Sequence, residues 1–315
     1  MKRLLLSYKD GHNGSEDSRW SNNVVMQISK ILKSIKLPTE IHRAVRGIDC
    51  LTHWKASECA SFLHCIGIIV LKHFIKKDQF QNFANLFCAV TICSSSYYIR
   101  FLPVAQTLFE DFIANYYLFY NSITSNIHNL VHIVDEVSRF GPLPTISSYP
   151  FENHLFQVKK LVRSGKLPLN QIINRITEKY SFKSIIDEPA EFPIFKYPMK
   201  FDHSQYGYVG LTNNFMLATK FPDRWFLTKD KRIAAMQYAN TNGIYGSEVN
   251  EIENLFEYPL SSPCINVFKA PSRYELLEPR MYGFDKVLCK LVVIVVLDET
   301  SFIPLLHTLP ATEQQ

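Results

Sequence analysis

The chain has 315 residues, 47 % hydrophobic and 20 % charged, with a net charge of +5. That length and apolar content allow two or three buried cores and exclude a disordered polyelectrolyte or a small disulfide scaffold. A charge this modest excludes a uniformly basic nucleic-acid coat, so any phosphate-binding argument rests on where the charges sit.

Seven cysteines, with no C-x-x-C pair, fit free thiols in a reducing compartment better than a zinc ribbon. Met1 to Leu6 imitates the head of a signal peptide, but its apolar part stops before Lys9 and Asp10. No window is read as reaching the roughly 18 apolar residues of a membrane span. The expectation is a soluble intracellular protein, nuclear or cytoplasmic, with no signal peptide, transmembrane segment or membrane partner.

In chain order, residues 1–23 resemble the end of a unit and carry too little apolar surface for a core. Val25, Ile28, Ile31, Leu32 and Ile35 then recur at helical spacing until Pro38. From Thr52 to Ser138 the pattern is a helical bundle. Thr52, Ser57 and Glu58 supply N-cap chemistry ahead of Phe62, Ile66, Ile69 and Val70; Phe80, Phe83, Phe87 and Val90 continue the spacing. Pro103 opens a helix striped by Leu108, Phe109, Phe112 and Tyr116.

A further helix is predicted after Asn126. It would carry His128, His132 and Glu136 one turn apart on one face, with Asp135 beside them. Such a triplet can grip a metal. H-N-L-V-H lacks the glutamate of a zinc-protease motif, and packed histidines on an amphipathic helix are the more ordinary reading.

Gly141 to Gly165 follows. A proline-broken approach ends at Tyr149-Pro150, and Glu152 falls in the first turn of a helix striped by Leu155, Val158 and Val162. Between 157 and 183 stand Lys159, Lys160, Arg163, Lys166, Arg175, Lys179 and Lys183 against the single acid Glu178. That segment alone exceeds the net charge of the chain. Pro168 starts a second helix with Leu169, Ile172, Ile173 and Ile176 facing inward. Two short basic helices at an angle can straddle a phosphate backbone, or be a solvated cationic face. Glu152 is either a helix-dipole partner or a metal-binding carboxylate.

Pro189, Pro193 and Pro198 mark an extended linker. Beyond Tyr208, apolar runs at 215–217, 224–227, 233–238, 265–268 and 287–297 predict five or six short strands, a small barrel or sandwich of about 100 residues.

Several of these stretches, in this order, resemble one family. They are W-K-A-S-E at 54–58, F-L-H-C-I-G at 62–67, N-I-H-N-L-V-H at 126–132, G-P-L at 141–143, Y-P-F-E-N at 149–153, L-V-R-S-G at 161–165 and Pro168-Leu169. They resemble the C-terminal half of transposases from CACTA-type cut-and-paste DNA elements of invertebrate genomes. The likeness runs from near Met1 to about Tyr180, and more weakly to S-F-I-P-L-L-H at 301–307.

The resemblance implies a partial RNase-H-like core in which three acids hold two divalent ions, Mg²⁺ or Mn²⁺, for DNA strand cleavage and transfer. Ions about 3.5–4 Å apart activate a nucleophile and stabilise the leaving oxygen, and hard ions favour carboxylate ligands. Glu152 would be the third acid. The family's two aspartates and its Asp-x-x-His motif correspond to positions upstream of Met1, and Asp10, Asp17 and Asp49 do not match them. The expectation is therefore no stable metal binding and no transposase activity by the polypeptide alone.

The expected architecture is mainly α with a C-terminal β region (α+β): a core remnant at 1–23, a helical insertion at 24–140, a C-terminal core segment at 141–185, a linker at 186–207 and a small β-rich domain at 208–310. The expected function is that of a truncated or degenerate transposase-derived protein binding duplex DNA weakly and without specificity through Lys159, Lys160, Arg163, Lys166, Arg175 and Lys179. The alternative is a protein-interaction module pairing with an intact transposase, a second copy or another partner. A metalloenzyme built on His128, His132 and Glu136 is the third reading.

Overall fold

The structure, a computed structural model, describes residues 1–11, 19–120, 123–183, 191–271 and 273–311. The first half is helical: α1 (Lys2–Asp10), α2 (Asn22–Ser34), α3 (Ala56–Ser61), α4 (Gly67–Phe74), α5 (Lys77–Cys93), α6 (Leu102–Tyr120), α7 (Ser125–His128), α8 (Ile133–Phe140), α9 (Leu143–Ile146), α10 (Tyr149–Lys160) and α11 (Pro168–Lys183). The second half is β1 (Ile194–Pro198), β2 (Tyr206–Thr212), β3 (Phe215–Ala218), β4 (Trp225–Thr228), β5 (Ile233–Asn240), β6 (Gly243–Glu248), β7 (Glu253–Asn254), β8 (Phe268–Ala270), β9 (Arg280–Tyr282), β10 (Val287–Val296) and β11 (Glu299–Pro304). The expected α+β class holds.

Helix α5 is the axis of the helical part. Its residues from Asn82 to Cys93 are buried on every side, as befits a helix apolar all round. Against it lie α4, α6, α8 and the 3₁₀ turn Ser262–Ile265. Phe83, Phe87, Phe109, Phe112, Tyr116 and Tyr120 fill the space between, so the aromatic stripes expected as core are core.

The helix at 56–74 departs from simple periodicity. Between α3 and α4 runs a π-helical turn, Phe62–Ile66, in which Gly67 N–H reaches Phe62 O. A Cβ on Gly67 would meet the Phe62 ring at 2.8 Å, so only glycine lets that ring lie against the backbone. Ala56–Phe74 as a whole is long and apolar enough to cross a membrane by length and composition, contrary to the sequence expectation. In the fold half of that window is buried inside the protein, packed on α5 and β10.

Neighbouring strands are antiparallel throughout the described pairs, in the order β1-β2-β5-β4-β10-β11-β8-β7, with β3 on β2 and β6 bridging β5 and β9. Among the described residues eleven strands form where five or six were expected. The predicted run at 265–268 is mostly not strand: Ile265 closes a 3₁₀ turn, Asn266 sits in the left-handed region at φ 60, and β8 starts at Phe268. Strands β10 and β11 join through Leu297 and Asp298, both at positive φ, the two-residue turn that matches strand twist.

Alternation along β4 and β5 separates two faces. Trp225, Leu227, Ile233 and Ala235 join the core that also holds the helices. Phe226, Ala234 and Met236 point into a smaller core closed by Val209, Leu217, Ile244 and Tyr282. The helical body and the sheet thus share one core. Across it Tyr98 Oη donates to Ile265 O at 2.9 Å and accepts from Asn266 Nδ2 at 2.8 Å. Phe87 meets Phe256 edge-on with centroids 6.3 Å apart. Residues 1–11 contribute helix α1, whose Tyr8 hydroxyl bonds that of Tyr120 at 2.5 Å. Among the described residues no strand precedes Ile194, and β1 lies inside the stretch expected as linker.

Candidate functional site

Helix α8 ends at Gly141, whose φ of +92 suits only glycine. Pro142 leads into the short α9, whose Leu143 and Ile146 pack on the main core, and Pro150 sits at the head of α10. Glu152 falls in the first turn of α10, as expected, with its N–H on Ser148 O at 3.0 Å. Its carboxylate is exposed.

Helices α10 and α11 form a hairpin held at its bend. Gln171 accepts from Arg163 N–H at 2.9 Å and donates to Ser164 O at 3.1 Å. Arg175 donates to Leu161 O at 2.5 Å, so one expected phosphate ligand is already engaged with the hairpin backbone. Lys159, Lys160, Arg163, Lys166 and Lys179 are exposed, with the Lys160 ammonium 4.4 Å from the Phe156 ring centroid. These exposed cations are spread over both helices and the bend between them.

Exposed apolar surface accompanies it. Neither helix packs extensively on another element, and no side chain of α10 is buried. Phe151 is 73 % exposed, Leu155 66 %, Leu169 64 % and Tyr180 70 %. Phe151, Leu155 and Val158 fall on one stripe of α10, which ends before Val162, and Leu169, Ile173, Ile176 and Tyr180 on one stripe of α11. Between the helices is an open groove of about 450 Å³ lined by His154, Val158, Leu161, Ile176 and Tyr180.

The metal alternatives fare differently. The expected single helix after Asn126 is broken into α7, a 3₁₀ turn Asn129–His132 and α8. Its change of pitch sets the exposed His128 and His132 rings edge to face, with centroids 6.0 Å apart. Among the described residues no three His, Cys, Asp or Glu side chains converge into a metal cradle, whether around His128, His132 and Glu136 or around Glu152. Asp10 lies beside Lys9, Asp49 beside Lys33, and Asp17 is outside the described residues. The residues present do not fit a two-ion site, and no chemical step is derived through Mg²⁺ or Mn²⁺.

Two features escaped the sequence. Glu58, placed by its sequence as cap chemistry, is fully buried and accepts from Lys55 N–H at 2.8 Å and from Arg46 Nη2 at 2.6 Å. The Arg46 guanidinium holds its carboxyl down at about 2. The second is a cavity of about 400 Å³ where the π turn, the end of α5, α9 and residues 304–311 meet. No charge or motif in the sequence marks it.

Residues 193–306, the β part without the hairpin, match the model of a family described as Domain of unknown function (DUF8592). No curated protein and no solved structure matches the chain.

Proposed function

We propose that the chain is a transposase-derived protein-interaction module whose docking element is the hairpin α10–α11. The observation that carries this reading is the pair of amphipathic stripes, Phe151–Leu155 on α10 and Leu169–Ile173–Tyr180 on α11, standing in solvent on an otherwise well-packed body. An amphipathic helix gains most of its stability by burying its apolar face. Each large side chain of these stripes would return about 1.5–3 kcal/mol on burial. Contiguous apolar surface of this kind marks an interaction site in a folded protein.

The transposase part of the reading rests on the order of motifs around Glu152. In that relationship the hairpin is the C-terminal element of an RNase-H-like core, and its apolar stripes face strands that carry the first two acids. In this reading an intact transposase supplies those strands. The test is association: size-exclusion chromatography with light scattering on the wild type and on Phe151→Glu/Leu155→Glu, alone and mixed with an intact transposase of the CACTA type. Association of the wild type and not of the variant supports the reading. A wild-type monomer that ignores the transposase overturns it.

A second reading has its own observation, the exposure of Lys159, Lys160, Arg163, Lys166 and Lys179. These side chains can reach duplex phosphates without any rearrangement of the body, giving weak, sequence-independent binding. Gel-shift titrations over a range of salt concentrations decide it.

A further inference from the structure

A cavity lies where the π turn, the end of α5, α9 and residues 304–311 meet. Its volume of about 400 Å³ falls in the range of small-molecule sites. Among the described residues, lysine, arginine, aspartate and glutamate are absent from its walls, which are built largely from Ile41, Pro142, Pro304, Leu305, Leu306 and Leu309. One fifth of the chain is charged, so a lining without an ionised side chain selects against phosphates, carboxylates and ammonium groups.

Three of the wall's hydroxyls donate to backbone carbonyls. Ser61 donates to Ser57 O, Ser94 to Val90 O and Thr145 to Pro142 O, at 3.0, 2.6 and 2.7 Å. Their protons are committed to backbone, which leaves hydroxyl oxygens as acceptors toward the cavity. His64 stands among them; its Nδ1 is sealed from solvent without a hydrogen-bond partner, so Nε2 is the ring nitrogen left to meet a ligand. Burial pushes its imidazole down to about 4, so the ring is neutral at physiological pH.

The π turn supplies the geometry. Ala60 and Ser61 at the end of α3 share the cavity wall with His64 and Cys65 of the π turn. Inserted π turns cost helix stability and recur at functional sites. Gly67 is what permits this one, since any larger residue would strike Phe62.

We propose that this cavity is a binding site for an uncharged, mainly apolar small molecule carrying an N–H or O–H donor, such as a phenol or an indole, with His64 and the serine hydroxyls as its acceptors.

The experiment uses the full chain and three probes: p-cresol, indole and, as an anion of similar size, benzoate. Histidine-ring carbon–proton NMR spectra follow the titrations. The two neutral probes are expected to shift the His64 ring signals saturably, and benzoate to bind at least about tenfold more weakly. Leu306→Trp, which fills the cavity, should abolish binding. His64→Phe, which keeps ring shape and removes both nitrogens, should weaken it about tenfold. Leu277→Trp, at an exposed position outside the cavity, should leave it unchanged. The assignment is overturned if neither neutral probe moves the His64 signals. Equal binding of benzoate, or wild-type binding by folded Leu306→Trp and His64→Phe proteins, overturns it too.

Discussion

Lys290, in the middle of strand β10 and without solvent exposure, places its ammonium 2.6 Å from the carboxylate of Asp223. Glu40, from the segment after α2, approaches the same nitrogen at 2.8 Å. The Thr39 N–H adds a bond to Asp223 at 2.9 Å. One ammonium compensates two carboxylates here, so its removal leaves both acids in the site without a counter-charge.

Lys290→Met is therefore expected to destabilise the protein by about 3–5 kcal/mol. Asp223→Asn should cost less, since Glu40 still pairs with the ammonium. Urea denaturation followed by circular dichroism measures both. Equal, small losses would show that the cluster contributes little.

The Arg46–Glu58 pair gives a pH dependence with a definite sign. In the fold the hydrogen-bonded Arg46 guanidinium holds the Glu58 carboxyl at about 2, below its ordinary 4.5. Its contribution is complete above the unfolded value and is lost as pH falls from about 4.5 toward 2. Glu58→Gln should remove that slope from the acid-unfolding curve and destabilise the protein at pH 7 by about 3 kcal/mol. An acid-unfolding curve identical to the wild type would contradict the assignment.

Thiol reactivity should separate the cysteines by location. Burial pushes the thiols of Cys65 and Cys93 up to about 12 and raises those of Cys88 and Cys289 as well. Cys264 is exposed on the turn Ser262–Ile265. With Ellman's reagent at mildly alkaline pH, Cys264 should react first and these four only on denaturation. Fast native labelling of Cys88 or Cys289 would contradict the shared core.

For the cationic surface, about five phosphate contacts predict a log–log salt slope near −4.5. Replacing Lys159, Lys160, Arg163 and Lys166 with alanine should flatten it to near −1. An unchanged slope removes the hairpin from DNA binding.

Much of the helical half was legible because local periodicity and burial agree there. The stripe Leu108, Phe109, Phe112, Tyr116 names the inner face of α6, and Pro103 marks its head. Glu152 and Pro168 likewise sit where helix-start chemistry puts them. The sheet was less legible. Strands such as β2, Y-G-Y-V-G-L-T, and β6, G-I-Y-G-S-E, carry glycines and tyrosines with no clean alternation, and their pairing depends on distant partners. The π turn has no periodic signature. Lys290 looks like an interruption in an apolar run until Asp223 and Glu40, far away in sequence, are brought to it. At the candidate site, the residues were legible and their lack of cover was not, because exposure is a property of what fails to pack.

The single core shared by α5 and β10 changes what a cut in the chain would do. The hairpin α10–α11 is strung between two halves whose apolar surfaces are already sealed against each other. A protease that clips the hairpin should leave two fragments that stay together without a covalent link and unfold in one transition. The body then behaves as a clasp already closed, with the hairpin as its free handle.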